Sequence, residues 1–164
     1  MAIALIALGG NLQQPERQVS KAIEVLAHTP GLTLLQASSL YATAPVGYDN
    51  QPDFINAVVQ MATEIEAPHL MKLLLEIEQQ FGRERPFPNA PRILDLDLLD
   101  YDGMQLDTTL LTLPHPRMHM RGFVVVPLAE IVPDFVLPSG QSVVEWLTTN
   151  KHDDVRKLDP NSIR

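Results

Sequence analysis

The stretch Ile93-Leu94-Asp95-Leu96-Asp97-Leu98-Leu99-Asp100-Tyr101 alternates apolar and acidic residues from Leu94 to Leu98. A two-residue period turns one set of side chains toward a core and the other toward solvent, so residues 93–101 read as a strand. Asp102-Gly103 then turns the chain into a short return strand. Upstream, 68–81 carries Leu70, Met71, Leu73, Leu74 and Ile77 at helical spacing and stops at Gly82. Before it lie a strand over 54–65, a Pro- and Gly-containing loop over 44–52, and a Leu-, Ser- and Thr-rich strand over 32–43. Residues 15–28 form an amphipathic helix through Val19, Ala22, Ile23 and Leu26, with Pro15 in its first turn and Thr29-Pro30-Gly31 as its stop. Ala2 to Leu8 is an unbroken apolar run, read as a strand covered on both faces and ended by Gly9-Gly10-Asn11.

The resulting order of β, α, β, β, α, β predicts an α+β fold with a ferredoxin-like βαββαβ core. Its antiparallel sheet would carry helices packed on one face, plus C-terminal additions. Those additions are a helix over 121–131 despite Pro127, then a small hairpin or strand and a closing helix containing Trp146. Neither a repeat nor a long linker divides the 164 residues, and a single domain over 1–164 is expected.

A formal net charge of −8 disfavours nucleic acid and anionic membranes as partners. No run approaches the roughly 18 to 20 apolar residues that a membrane span needs. The opening run lacks a basic leader, which argues for a strand over a signal peptide. Cysteine is absent, which removes disulfides, thiolate metal sites and Cys nucleophiles and fits a cytoplasmic protein. The cations are unevenly placed. Arg83, Arg85, Arg92, Arg117 and Arg121 fall within 83–121, a span without lysine, and the arginine fork matches phosphate and carboxylate geometry. The alternative is a set of scattered arginines paired with surface carboxylates.

Asp95 and Asp97 share one strand face, about 6 to 7 Å apart along the strand. Two carboxylates so spaced can hold Mg²⁺, which completes its shell with phosphate oxygens and water. An acidic solvent face is the plainer reading, but like charges side by side cost stability unless something binds there. Pro114-His115-Pro116 places an imidazole on a stiff backbone, with Arg121 close enough in sequence to share an anion. Phe54 and Asn56 lie on one face of their strand and offer an aromatic plane and an amide, which suits a planar heterocycle. No nucleophile motif or Walker loop is present, so positioning and charge neutralisation must carry the chemistry, as in phosphoryl transfer.

Taken together, several pieces resemble one family along nearly the whole chain. They are Leu8-Gly9-Gly10-Asn11-Leu12, Tyr41-Ala42-Thr43-Ala44-Pro45, Gln51-Pro52-Asp53-Phe54-Ile55-Asn56-Ala57 and Glu78 with Gly82-Arg83. Pro91-Arg92-x-Leu94-Asp95-Leu96-Asp97 and Pro114-His115-Pro116 with Arg121-Gly122-Phe123 complete the set. The chain is similar in these motifs to the 6-hydroxymethyl-7,8-dihydropterin pyrophosphokinases. The resemblance implies transfer of the diphosphate of ATP, the co-substrate, to the hydroxymethyl group of 6-hydroxymethyl-7,8-dihydropterin, with release of AMP and two Mg²⁺ ions as cofactors. It further implies that Asp95 and Asp97 hold both metals and that Arg83 and Arg92 grip the triphosphate and stabilise the transferring group. His115 and Arg121 would bind the distal phosphates, Arg85 would join from a mobile loop, and Leu98 would meet adenine through its backbone. On the pterin side, Asn56 would bond the ring edge, backbone groups near Thr43, Ala44 and Val46 would complete recognition, and Phe54 and Phe123 would sandwich the ring. A monomer is expected. The chain departs from the better-studied form of the family at Pro88-Asn89-Ala90, where that form has Arg-Trp-Gly, and at Pro116 and Phe54, which replace tyrosines. A non-catalytic ferredoxin-like module that binds nucleotide or metal, and an enzyme for another hydroxymethyl heterocycle, are the competing readings.

Overall fold

The run Ala2–Gly10 (β1) becomes the strand with a partner on each side because nothing in it needs water; every residue from Ala4 onward is buried. The structure, a computed structural model, describes residues 1–45, 51–82, 93–118 and 121–159. After β1 come Pro15–Ala27 (α1), Leu32–Ala37 (β2), Tyr41–Thr43 (β3), Phe54–Thr63 (β4) and Ala67–Gln80 (α2). Asp95–Tyr101 (β5), Leu106–Asp107 (β6), Thr112–Leu113 (β7), Gly122–Ile131 (α3), Val143–Thr149 (α4) and Arg156–Lys157 (β8) follow. The main sheet is antiparallel throughout, in the order β5-β1-β4-β3-β8, with β2 on the same edge of β4 as β3. The ferredoxin-like core is thus present.

Alternation sorts the strands between two apolar layers. Ala4, Ile6, Leu8, Val59, Met61, Leu96 and Leu98 face α1 and α2 through Val19, Ala22, Leu26, Leu70, Leu74 and Ile77. Leu5, Ala7, Val58 and Leu99 face α3 and α4 through Val124, Val125, Leu128, Val143 and Trp146. Fully burying one such side chain contributes about 1.5 to 3 kcal/mol. The two core helices thus share one face, as expected, and the C-terminal helices lie on the other. The C-terminal additions cover the second face, because Leu5, Ala7 and Val58 would otherwise be exposed apolar surface.

Three local features differ from the sequence reading. The expected strand over 32–43 is broken, because Ser38 donates its N–H to the Val58 carbonyl while its hydroxyl, in place of a backbone carbonyl, accepts the Val58 N–H. The return strand β6 pairs with β7 and not with β5. The short strand β8 closes back onto β3, with Arg156 opposite Ala42 and the Leu158 N–H on the Leu40 carbonyl. Within β5, Ile6 faces Leu98 while Leu5 faces Asp100, leaving Leu99 as the extra residue of a bulge. The bulge resets the alternation, so Leu98 and Tyr101 both enter the α1/α2 layer although they are three residues apart. Among the described residues, no helix is long and apolar enough to cross a membrane.

Candidate active site

Strand register assembles a set of polar groups at one end of the face that α3 and α4 partly cover. Tyr41 stands opposite Asn56, Asn56 opposite Gly9, and Gly9 opposite Asp95, forming one row across four strands. The flanking rows pair Thr43 with Phe54 and align Val58, Ala7 and Asp97. Directly opposed residues share a face, so Thr43, Phe54, Asn56, Asp95 and Asp97 all project to the same side. With strands about 4.8 Å apart, the backbones of Asn56 and Asp95 lie about 10 Å apart. Only Gly9 stands between them.

The two aspartates are partly exposed, while Leu96 between them is buried. β5 is the last strand of the described sheet, and its edge is not left bare at this point. The Glu78 carboxylate, 2% exposed on α2, accepts the Leu96 N–H through Oε2 at 2.6 Å. A hydrogen bond of this length fixes the strand segment that carries both aspartates. Among the described residues no cluster of three or more His, Asp and Glu could hold a metal. Two carboxylates suit Mg²⁺, which takes one or two of them and leaves its other positions to phosphate and water.

His115 and Arg121 arrive from the segment entering α3. The His115 N–H is donated to the Leu99 carbonyl at 2.8 Å, so the β5 bulge also anchors this turn. Its Nδ1 accepts the Arg117 N–H at 3.2 Å, which puts the proton of the neutral ring on Nε2. Burial pushes the His115 pKa down to about 4, Arg121 and Arg117 push the same way, and Asp95 opposes them. The imidazole is therefore neutral at pH 7. Arg121 places Nη1 4.0 Å from Asp97 Oδ2, and its guanidinium lies 5.6 Å from the centre of the Phe123 ring. One helix start thus brings a cation and an aromatic plane to the aspartate row.

On the other side of Gly9, Asn56 donates Nδ2–H to Thr43 Oγ1 at 3.0 Å, and both residues are buried. Ala44 is exposed just beyond. The Leu98 side chain is buried in the α1/α2 layer and does not join the polar face. The Leu96 N–H points off the sheet to Glu78, so by alternation the Leu98 backbone faces the same edge. Arg83, Arg85, Arg92 and Val46 lie outside the described residues.

Several contributors had no assigned role in the sequence reading. Gly9 reads in the sequence as the end of a strand, yet it pairs on both sides; a glycine inside an apolar run signals a close approach. Asn11, 1% exposed, donates Nδ2–H groups to Gln51 Oε1 at 2.8 Å and the Pro52 carbonyl at 2.9 Å, tying the end of β1 to the start of β4. Glu130 on α3 accepts the Tyr41 hydroxyl at 2.6 Å and the Ser39 N–H at 2.9 Å through Oε1, and the Ser39 hydroxyl at 3.0 Å through Oε2. Burial raises the Glu130 pKa, but these bonds outweigh it and hold the carboxyl below its usual range. No sequence spacing announces this contact across 89 and 91 residues.

Asp95, Asp97, Arg121 and His115 gather on one side of Gly9, and the buried Asn56–Thr43 pair lies on the other. Such a grouping is suited to phosphoryl transfer onto a heterocyclic acceptor. Residues 5–133 match the family model of 7,8-dihydro-6-hydroxymethylpterin-pyrophosphokinase. The 2-amino-4-hydroxy-6-hydroxymethyldihydropteridine pyrophosphokinase of Haemophilus influenzae is 39% identical over 160 residues, 98% of this chain and 100% of that one. The enzyme of the same name from Synechocystis is 43% identical over 145 residues, 88% of this chain and 74% of its own. Among solved structures, an HPPK-DHPS in complex with substrates matches with TM-score 0.70 at 12% identity, covering 90% of this chain and 43% of that one. The Plasmodium falciparum HPPK-DHPS A437G matches with TM-score 0.69 at 13% identity, over 90% and 45%. This chain spans less than half of those longer proteins, and at such identity they establish the fold alone. The chain belongs to the 7,8-dihydro-6-hydroxymethylpterin-pyrophosphokinase family, ATP-dependent enzymes of folate biosynthesis.

Proposed function

We propose that the row from Asn56 to Asp95 is where this chain carries out its family's reaction, with the pterin on the Asn56 side and the triphosphate on the Asp95 side. The chain transfers the terminal diphosphate of ATP to the hydroxymethyl group of 6-hydroxymethyl-7,8-dihydropterin, giving AMP and the pterin diphosphate. The pterin hydroxymethyl oxygen bonds to the β-phosphorus while the bond from that phosphorus to the oxygen retained by AMP breaks. The hydroxyl proton passes to solvent. The observation that carries the assignment is the register that sets Asn56 and Asp95 in one row, about two strand spacings apart, with a bare glycine between them.

Asp95 and Asp97 would hold two Mg²⁺ ions, which when bound neutralise charge on the phosphate oxygens. ATP brings about four negative charges and the aspartates two, so two divalent ions leave a deficit that arginines offset. Arg121, already 4.0 Å from Asp97, and the neutral His115, with its Nε2 proton, would take the distal phosphates. Arg83 and Arg92 would grip the triphosphate, with Arg85 beside them. The edge-facing backbone of Leu98 would meet adenine. Asn56 would bond the pterin edge, with backbone groups of Thr43, Ala44 and Val46, and Phe54 and Phe123 would sandwich the ring. The return of β8 onto β3 supports one domain over 1–164, and a cytoplasmic monomer is our reading of its state and location.

Family membership favours the enzyme over a non-catalytic binding module. Replacing Asp95 or Asp97 by Asn should lower turnover with Mg-ATP and pterin by about 100-fold or more, the scale of losing one electrostatic stabiliser. Turnover within a few-fold of the unmodified enzyme in either variant would overturn the metal assignment.

A further inference from the structure

We infer that Gly9 is a specificity-determining position, there because the Asn56 carboxamide lies across it, and that its bare backbone is what aims that carboxamide at the pterin. The inference rests on the proposed pterin role of Asn56 and adds a residue to which no role has been given. Gly9 sits inside β1, paired with Asn56 on one side and Asp95 on the other. Glycine weakens a strand interior, so its presence there calls for a cause. Backbone conformation is not that cause, because Gly9 lies outside the left-handed region that favours glycine.

Space is the cause. A Cβ at position 9 would lie 2.8 Å from Asn56 Oδ1, closer than real Cβ contacts come, and 3.8 Å from Asn56 Cγ. The carboxamide cannot swing aside freely. Its Nδ2 is held by Thr43 Oγ1 at 3.0 Å, and Asn56 and Thr43 are 6% and 4% exposed. Thr43 and Gly9 together therefore set the amide from two sides. The hydroxyl holds the nitrogen, and the missing side chain admits the oxygen over β1. An acceptor oxygen results beside Gly9, suited to a planar heterocycle that presents N–H there. Alanine at position 9 would displace Oδ1, break the Thr43 bond or both.

Gly9→Ala tests this, with 6-hydroxymethyl-7,8-dihydropterin titrated in the presence of a non-hydrolysable ATP analogue and Mg²⁺. The expected result is pterin affinity weakened about 10-fold or more, with analogue affinity within about 2-fold and the thermal midpoint modestly lowered, since the new methyl group strains the buried Asn56–Thr43 pair. In an Asn56→Ala background the same substitution should cost pterin binding less than about 2-fold, because the clashing oxygen is gone. Equal losses from Gly9→Ala in both backgrounds would overturn the inference. So would parallel loss of pterin and analogue binding, which marks general damage to the sheet. The single variant Asn56→Ala separates the two levels. No loss of pterin binding there overturns the assignment of Asn56, whereas a loss there with none in Gly9→Ala overturns the role of Gly9 alone.

Discussion

Acidifying the ligand-free protein should cost it stability through His115, by an amount that follows from the surroundings of the imidazole. Burial, Arg121 and Arg117 lower its pKa from 6.5 to about 4, against the opposing pull of Asp95. Between those values the unfolded chain binds a proton that the folded chain does not. Stability therefore falls as pH drops from about 6.5 toward about 4, then levels off, and above about 6.5 His115 has no effect. The full gap corresponds to about 3 kcal/mol at roughly 1.4 kcal/mol per pH unit, and partial access of solvent to the ring brings this to about 1 to 2 kcal/mol. Urea denaturation of the unmodified protein and of His115→Gln at about pH 7 and about pH 4.5 isolates the contribution, because the carboxylates titrate in both proteins. The unmodified protein should lose about 1 to 2 kcal/mol more than the variant on acidification. Equal losses in the two proteins would refute the reasoning. The same chemistry links pH to ligand: phosphate near Nε2 favours the charged ring, so ATP binding at about pH 5.5 should take up protons and His115→Gln should abolish that uptake.

Other consequences concern residues that act through the strands. Glu78→Ala removes a buried side chain that accepts the Leu96 N–H, and should destabilise the fold by about 1 to 3 kcal/mol and raise the Mg²⁺ concentration needed for half-maximal turnover. Glu78→Gln keeps an acceptor at that place and should recover most of the Mg²⁺ response; equal Mg²⁺ dependence in Glu78→Ala and the unmodified enzyme would show that the bond does not position β5. Glu130→Ala breaks three bonds to Ser39 and Tyr41, the latter on the strand that carries Thr43. It should cost about 1 to 2 kcal/mol in denaturant and raise KM for the pterin more than KM for ATP, and equal rises in the two constants would count against it.

The sequence showed most clearly what depends on near neighbours. The apolar run of β1, the helical spacing of Val19, Ala22 and Leu26, and the two-residue period that puts Asp95 and Asp97 on one face all appear as read. What it concealed depends on partners far along the chain. Ser38 looks like any strand serine until its hydroxyl takes the place of a carbonyl opposite Val58. Nothing in Leu98-Leu99 announces the bulge, which becomes visible only against Leu5 and Ile6. Arg156–Lys157 is too short and polar to read as a strand until Tyr41 and Ala42 supply its ladder. The second helical layer follows a similar rule, because the need to cover Leu5, Ala7 and Val58 arises only once the sheet is assembled. At the site, residue type alone points to Asn56 and the aspartates, whereas Gly9 acquires meaning only from the oxygen that lies across it.

The most direct test of diphosphate transfer at this site is the nucleotide product formed when the protein is incubated with Mg-ATP and 6-hydroxymethyl-7,8-dihydropterin, identified by mass. One AMP for each pterin diphosphate is the predicted result. Formation of ADP with a pterin monophosphate, or no turnover of either substrate, would contradict it.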